Sequence, residues 1–277
     1  MIVPDELELN WDKALNYGIS WTRDYFKTAK VNRAVIGVSG GSDSALTAFI
    51  TMKALGEKNV SGLIMPFIGV TPLDDINDAE ELIKALKINR IYSEINPVAD
   101  AFGGLDPALK KPENKIALAN LQARIRMAML YKEANMHGAL VVGTDDKSEN
   151  ILGYFTKYGD GGVDMNVPEY LYKTQVRRLL EHISVKANLN VARKIATKEP
   201  SPNLWINHTA EEELGMKYER LDLILFYLFD SKIKMSPGEI ARNFNVSGDS
   251  VSKLLKMMEN NKHKLSLPPS PPKADLR

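Results

Sequence analysis

The sequence contains no cysteine and almost no net charge. Without cysteine there are no disulfide bonds, no thiolate metal sites and no cysteine nucleophiles. The formal net charge is +1, so no global field would collect polyanions, and phosphate ligands would need locally placed lysine or arginine. No basic, apolar leader begins the chain, and no apolar run approaches the length of a membrane span. We therefore expect a cytoplasmic protein without a membrane or nucleic-acid partner.

A turn rich in glycine and serine follows the first apolar run of the chain. Residues 35–38 form the β-branched run, residues 39–44 read Ser-Gly-Gly-Ser-Asp-Ser, and residues 45–50 then have helical spacing. The two glycines permit a sharp turn close to a ligand, and unpaired amides at a helix N-terminus bind anions. Asp43 would repel a phosphate unless a metal ion stood between them. The turn therefore predicts a site for a metal-bound polyphosphate.

This turn differs from the two common nucleotide-binding loops. No Gly-Lys-Ser/Thr follows the glycines, as a Walker A loop requires, and the third glycine of the dinucleotide fingerprint is missing. Ser-Gly-Gly-x-Asp-Ser after a strand instead resembles the pyrophosphate loop of the N-type ATP pyrophosphatases, which cut ATP between its α and β phosphates. The ATP-binding residues that this resemblance implies are Gly37, Val38, Ser39, Gly40, Gly41, Ser42, Asp43 and Ser44.

Strands alternate with helices along the first half of the chain, which predicts βαβ units and a parallel sheet. Strands are expected at residues 35–38, 60–66, 89–95 and 139–143. Helices are expected at residues 7–29, 45–50, 74–86, 115–136, 172–183, 211–229 and 238–260. The region rich in glycine and proline, residues 102–114, is expected to be mobile, and residues 153–174 to form a shaped loop. Polar residues 144–149 follow the fourth strand, where open α/β sheets bind ligands.

Three motifs in a fixed order identify the family that the chain resembles. They are Val-Val-Gly-Thr-x-x-Lys-Ser-Glu, then Gly-Tyr-Phe-Thr-Lys-Tyr-Gly-Asp-Gly-Gly-Val-Asp, then Leu-Tyr-Lys-Thr-Gln-Val, within residues 141–176. The sequence resembles ammonia-dependent NAD synthetase over nearly its whole length. The resemblance implies an α/β fold with a flavodoxin/Rossmann-like parallel sheet, helices on both faces (adenine nucleotide α-hydrolase-like) and a helical C-terminal part. It also implies a single domain over residues 1–277 without a glutaminase (amidase) domain, working as a homodimer.

The implied activity is a C–N ligation. Enzymes of this family adenylate the carboxylate of deamido-NAD with ATP, release pyrophosphate, and let ammonia displace AMP to give NAD in the last step of its biosynthesis. The implied partners are therefore ATP, deamido-NAD and ammonia, with Mg²⁺ as the cofactor. The chemistry fits the sequence, because bringing a carboxylate up to a triphosphate requires cations to neutralise the repulsion.

The resemblance assigns roles at the ATP end of the site. Asp43 and Glu149 match the family's metal positions, and both are hard carboxylates that suit Mg²⁺. Lys173 is expected to hold ATP phosphates, and Thr144 and Ser201 match positions that contact ATP. Asp145 and Asp146 stand where the family more often has Gly-Asn, which adds negative charge near the metal.

At the other end of the site, the resemblance places five residues on deamido-NAD: Arg124, Lys157, Asp164, His263 and Lys264. None of the four histidines is an obvious general base, which suits a mechanism of positioning and electrostatics. Ammonium must lose a proton before it attacks, and Asp164 is a hypothetical acceptor. Asp43, Lys173 and Asp164 are therefore the predicted catalytic residues.

Two alternative functions compete with this one. The nearest is the same ATP chemistry on another acceptor, as in the synthetase domains that aminate XMP or modify tRNA; the loop of residues 157–164 argues against them. The other is a DNA-binding regulator, because residues 239–256 have helix-turn-helix spacing. A DNA reader should carry a basic stripe, whereas the second of these helices offers only Lys253 and Lys256.

Overall fold

The computed structural model describes residues 3–201, 205 and 209–270. Five strands form one sheet in the order β3-β2-β1-β4-β5, and every neighbouring pair is parallel. The strands are β1 (Ala34–Gly37), β2 (Val60–Ile64), β3 (Asn89–Tyr92), β4 (Leu140–Gly143) and β5 (Met165–Asn166). The four strands predicted from the sequence are all present, and the predicted α/β fold class is confirmed.

Twelve α-helices accompany the sheet within the described ranges. They are α1 (Trp11–Ala29), α2 (Ser42–Leu55), α3 (Leu73–Leu86), α4 (Asn96–Leu105), α5 (Lys115–His137), α6 (Lys147–Leu152), α7 (Lys173–Lys186), α8 (Asn190–Thr197), α9 (Ala210–Leu214), α10 (Tyr218–Leu225), α11 (Pro237–Asn243) and α12 (Gly248–Asn261). Searching the described part of the chain finds no helix with the length and apolar character needed to cross a bilayer.

Both faces of the sheet are covered, because successive side chains of β1 point to opposite sides. Val35 belongs to a buried cluster with Ile125 of α5 and Ala99 of α4. The next residue, Ile36, belongs to the larger buried cluster that contains residues of α1, α2, α3, α7 and α8. Strands buried on both sides explain the uninterrupted apolar run at residues 34–36.

The sheet reverses its strand order between β1 and β4. From β1 the chain moves outward through β2 to β3, then returns to place β4 on the other side of β1, with Ala34 opposite Leu140. The segments that leave β1 and β4 therefore diverge and open a crevice at the carboxyl ends of these strands, where open α/β sheets bind ligands. Gly37 and Gly143 end the two strands at this crevice.

Three predicted segments differ from the structure. Residues 102–114 were expected to be mobile, but α4 and two 3-10 turns occupy most of them, with proline in the first positions of each element, where its missing N–H costs nothing. The helix predicted at 211–229 is interrupted by Gly215, which has a φ of 76° and ends α9. Likewise, the helix predicted at 238–260 is two helices, α11 and α12, whose buried residues join the larger core cluster.

Candidate functional site

The loop between β1 and α2 is held in shape by its own serines. Ser44 Oγ accepts a hydrogen bond from Ser39 N (3.2 Å) and donates one to Gly41 O (3.1 Å). Gly40 has a φ of 82°, and a Cβ there would lie 2.2 Å from the backbone oxygen of Asp75 at the start of α3. Among the described residues no side chain caps the N-terminus of α2, which leaves its first amides available. The loop thus has the features of an anion site: glycine at a close approach and an open helix N-terminus.

Beside this loop, one lysine contacts three carboxylates. Lys173 Nζ lies 3.0 Å from Asp43 Oδ2, 2.9 Å from Asp146 Oδ2 and 2.9 Å from Glu149 Oε1. The side chain of Lys173 is 4% exposed and that of Asp146 is fully buried, while those of Asp43 and Glu149 are each one-fifth exposed. We call these four residues the acid–lysine cluster. Each comes from the N-terminal end of a helix.

Helix capping places two of the acids in this cluster. Asp146 is the N-cap of α6, and its Oδ1 accepts a hydrogen bond from Glu149 N (2.9 Å). In return, Glu149 Oε2 accepts one from Asp146 N (3.1 Å), which completes a capping box. Each carboxylate uses one oxygen for the cap and turns the other toward Lys173. The cap therefore fixes the direction of both acids.

Burial and charge oppose one another within the cluster. Burial raises the pKa of Asp146 well above its ordinary value and also raises that of Glu149, while Lys173 acts in the opposite direction on both. Burial also disfavours the charged form of Lys173, but Asp146, Asp43 and Glu149 together hold its pKa well above the usual range. Lys173 therefore stays protonated as an ammonium ion, and it is the acids whose charged forms remain disfavoured by burial.

The cluster fits a divalent cation. Three carboxyl groups face one ammonium ion, so the acids outnumber the cation, and one oxygen from each of Asp43, Asp146 and Glu149 lies within 4.8 Å of the others. In addition, Asp43 Oδ1 is buried and has no hydrogen-bond partner among the described residues. Hard carboxylate oxygens are the ligands that Mg²⁺ takes in proteins, usually with phosphate and water completing its shell.

The loop after α6 is hydrogen-bonded to the 3-10 turn that follows α12, Lys262–Lys264. Lys264 Nζ donates hydrogen bonds to Gly153 O and Phe155 O, each at 2.8 Å, and Lys157 Nζ donates one to His263 O (2.5 Å). Arg124 of α5 reaches the same loop, with its Nε 3.3 Å from Lys157 O. Residues 124, 157, 263 and 264, which are far apart in sequence, therefore lie together.

Asp164 directly precedes β5, at the end of this loop. Its Oδ2 accepts a hydrogen bond from Val141 N (2.8 Å) in β4, and its Oδ1 accepts one from Tyr131 OH (3.0 Å) in α5. Asp164 also lines a cavity of about 740 Å³ with Asp145, Phe155 and Lys264, among others. Asp145, which follows β4, and Asn166, which ends β5, also line it, so the cavity reaches the carboxyl ends of these two strands.

Known proteins share this architecture and sequence. A family model described as NAD synthase matches residues 14–268. The chain belongs to the NAD synthase family. An NH3-dependent NAD⁺ synthetase of Staphylothermus marinus is 42% identical over 97% of this chain and 94% of its own length. Among solved structures, NMN synthetase from Francisella tularensis (TM-score 0.80, 30% identity) covers 96% of this chain and 100% of its own. NH3-dependent NAD synthetase from Campylobacter jejuni (TM-score 0.74, 26% identity) covers 95% and 99%.

These comparisons confirm three of the predictions made from the sequence. The chain is a NAD synthase, its enzyme class is a ligase that forms a C–N bond, and its parallel sheet with flanking helices is the fold of solved NAD synthetases. Ammonia-dependent NAD synthesis is the function that the family and its curated relatives support, with ATP as a substrate. The helix-turn-helix alternative is not needed, because α11 and α12 pack into the core of this fold.

The structure brings the predicted residues into two groups. Asp43, Glu149 and Lys173 join the acid–lysine cluster beside the β1–α2 loop, and Thr144 directly follows β4 at the same crevice. Ser201 lies three residues after Lys198 and next to Pro200, whose O accepts a hydrogen bond from Ala210 N (3.3 Å). The remaining group consists of the predicted deamido-NAD residues around the loop of residues 153–164.

Sequence reasoning missed Asp146 as the third acid. It was recognised only as extra negative charge near the metal, although Asp-x-x-Glu before an apolar residue is the pattern of a capping box. That pattern places the first and fourth residues side by side at a helix N-terminus. Two further buried residues, Asp222 and Tyr218, carried no local signal. The ring of Tyr218 lies 5.5 Å from Lys173 Nζ and forms one wall of the cluster.

Proposed function

We propose that this NAD synthase amidates deamido-NAD in two steps, using ATP bound on the β1–α2 loop and Mg²⁺ held by the acid–lysine cluster. The observation that carries the proposal is the position of Lys173: its Nζ lies within 3.0 Å of three carboxylates, beside an open helix N-terminus at the crevice between β1 and β4. This is the combination of cation, hard acids and free amides that a metal-bound triphosphate requires.

In the first step, an oxygen of the substrate carboxylate forms a bond to the α-phosphorus of ATP as the bond to pyrophosphate breaks. The loop of residues 39–41 and the first amides of α2 bind the phosphate oxygens and fix the angle of attack. Lys173 offsets negative charge that moves onto the leaving pyrophosphate. Mg²⁺, when bound by Asp43, Glu149 and Asp146, supplies further positive charge at the phosphates.

In the second step, the nitrogen of ammonia forms a bond to the acyl carbon, and the carbon–oxygen bond to AMP breaks. AMP leaves with the oxygen that came from the carboxylate, and one proton is lost as the amide forms. Asp164 is the predicted proton acceptor, and it lines the cavity of about 740 Å³. Both of its oxygens also accept hydrogen bonds, from Tyr131 OH and Val141 N, which fix the orientation of the carboxylate.

A second candidate product is NMN, because the Francisella tularensis structure of TM-score 0.80 is named an NMN synthetase. The two functions differ in whether the substrate carries the adenylate half. The test supplies purified protein with ATP, Mg²⁺ and ammonium, and then with either deamido-NAD or nicotinic acid mononucleotide. We expect higher kcat/KM with deamido-NAD. Preference for the mononucleotide would reassign the substrate, and no amide from either would refute the function.

Replacing Lys157 with alanine is expected to raise the KM for deamido-NAD by about 10- to 100-fold, the value of a hydrogen bond to a charged group. The KM for ATP should stay unchanged, because Lys157 contacts the C-terminal segment at His263 and not the acid–lysine cluster. Steady-state kinetics with each substrate varied in turn measures both. Lys58→Ala, which removes an exposed lysine next to β2, is the control. An equal rise in both KM values would show that the loop is only structural.

We further propose that the enzyme is a homodimer. Three aromatic side chains of α1, those of Tyr17, Trp21 and Tyr25, are between 37% and 58% exposed, which is typical of a surface that another protein covers. Sedimentation velocity at micromolar concentration should give the mass of two chains, and a monomer would contradict the proposal. Location in the cytoplasm stays a prediction.

A further inference from the structure

Asp222 of α10 is a fully buried carboxylate outside the acid–lysine cluster. Its Oδ1 accepts a hydrogen bond from Ser148 Oγ (2.6 Å), and its Oδ2 accepts two, from Thr174 N (2.8 Å) and Thr174 Oγ1 (2.7 Å). Ser148 Oγ in turn accepts a hydrogen bond from Lys173 N (3.0 Å). One carboxylate therefore links the N-terminal turn of α6, at Ser148, to that of α7, at Thr174, which lies 26 positions later in the chain.

The residues that Asp222 contacts are the chain neighbours of two cluster members. Ser148 directly precedes Glu149, and Thr174 directly follows Lys173. Asp222 also helps to satisfy the first two backbone N–H groups of α7, which have no partner within the helix itself: it accepts directly from Thr174 N, and through Ser148 it supports the bond from Lys173 N. The contacts of Asp222 fix the backbone at Ser148 and Thr174. Because Glu149 and Lys173 are their neighbours in the chain, these contacts also set how the side chains of Glu149 and Lys173 approach each other.

We propose that Asp222 is a positioning residue that holds Glu149 and Lys173 in register for the metal and the ATP phosphates. It touches neither the reacting atoms nor the acids of the cluster and acts through Ser148 and Thr174. This inference rests on the proposed function, since it presupposes that the cluster binds a divalent cation. It gives a role to a buried carboxyl group on a helix whose neighbours Leu221, Ile224 and Leu225 are all buried and apolar.

Replacement of Asp222 by asparagine tests this role with almost no change of volume. Asp222 accepts three hydrogen bonds and donates none. An amide at this position keeps one accepting oxygen and turns an N–H₂ donor toward either the Thr174 N–H or the Ser148 hydroxyl. Toward the Thr174 N–H two donors meet and the bond is lost. Toward Ser148 Oγ, which can accept, the charge-assisted bond becomes a neutral one of reversed direction. In either case the link between the N-termini of α6 and α7 is weakened.

The experiment compares Asp222→Asn and Ser148→Ala with the wild type and with Ile224→Val. Ile224→Val serves as the control because it loosens the same buried helix without touching Ser148 or Thr174. Two quantities are measured for each protein. The first is the Mn²⁺ dissociation constant, by electron paramagnetic resonance with an ATP analogue that resists cleavage between the α and β phosphates. The second is the Mg²⁺ concentration that half-saturates NAD formation, with melting temperatures recorded alongside.

For Asp222→Asn and Ser148→Ala we expect both quantities to rise by about tenfold or more, the effect of removing a group that orients metal ligands. For Ile224→Val we expect a lower melting temperature with metal binding unchanged. Wild-type metal binding in both test variants would overturn the inference, and Ser148→Ala decides alone if Asp222→Asn does not fold. If the wild type makes no NAD, the proposed function fails, but the Mn²⁺ measurement still tests the role of Asp222.

Discussion

Replacing Asp43 with asparagine is expected to lower kcat by about 10²- to 10³-fold, the effect of removing one electrostatic contact at a reacting centre. The melting temperature measured without divalent metal should stay unchanged or rise. The reason is that the acid–lysine cluster carries three carboxylates against one ammonium, so a neutral amide relieves repulsion. Activity and stability therefore move independently. Steady-state kinetics at saturating Mg²⁺ and thermal unfolding in a chelator measure the two.

A matched control for this variant is Asp74→Asn. Asp74, like Asp43, is an acid in the first turn of a helix, but it is exposed on α3 and lies outside the cluster. It should leave kcat unchanged and cost about 0.3–1 kcal/mol of stability, the value of an exposed charge at a helix N-terminus. Unchanged activity of Asp43→Asn at saturating Mg²⁺ would contradict the role of this carboxylate.

Replacing Lys173 with methionine is expected to abolish activity and to destabilise the protein by about 3–5 kcal/mol, the usual cost of removing one partner of a buried ion pair. Methionine fills the space of the alkyl chain but leaves Asp146, Asp43 and Glu149 without a cation. Mg²⁺ should restore part of the lost stability, because a ligand that binds only the folded state stabilises it. It should not restore catalysis. Thermal and urea unfolding with and without Mg²⁺ measure these effects.

Lys186→Met, on the same helix, is the control for this variant. Lys186 forms an ion pair with Asp12 in which both side chains are more than half exposed, and exposed pairs contribute about 0–1 kcal/mol. Its loss should change neither activity nor the response to Mg²⁺. If Lys173→Met unfolds at the wild-type urea concentration, the cluster does not depend on its ammonium as proposed.

Features of the site that depend on neighbouring residues were predictable from the sequence. The β1–α2 loop is one such feature, since glycine at position 40, serine at position 44 and the following helical spacing act within a few residues of one another. The long helix α5 was predicted to within one residue of its bounds for the same reason. The grouping of Lys157 with His263 and Lys264, 106 or 107 positions away, came from the family resemblance and not from any local pattern.

Features that depend on tertiary contacts could not be predicted. Asp146 meets Lys173 only because α6 and α7 start side by side, and Asp222 reaches both from α10, 48 and 74 positions from its partners. α4 was missed because Gly103 and Gly104 lower its helix propensity. The helix forms despite this low propensity, because Gly103 packs at a buried position where a Cβ would lie 2.4 Å from the side chain of Lys110.

The most direct test of the two-step mechanism follows the oxygen of the substrate. Deamido-NAD labelled with ¹⁸O in both carboxylate oxygens is mixed with the enzyme, ATP, Mg²⁺ and ammonium, and the products are analysed by mass spectrometry. The mechanism predicts AMP that carries one ¹⁸O, unlabelled pyrophosphate, and NAD that retains the other ¹⁸O in its amide. Formation of ADP with labelled orthophosphate would show attack at the γ-phosphorus and would contradict the adenylation that the acid–lysine cluster is proposed to support.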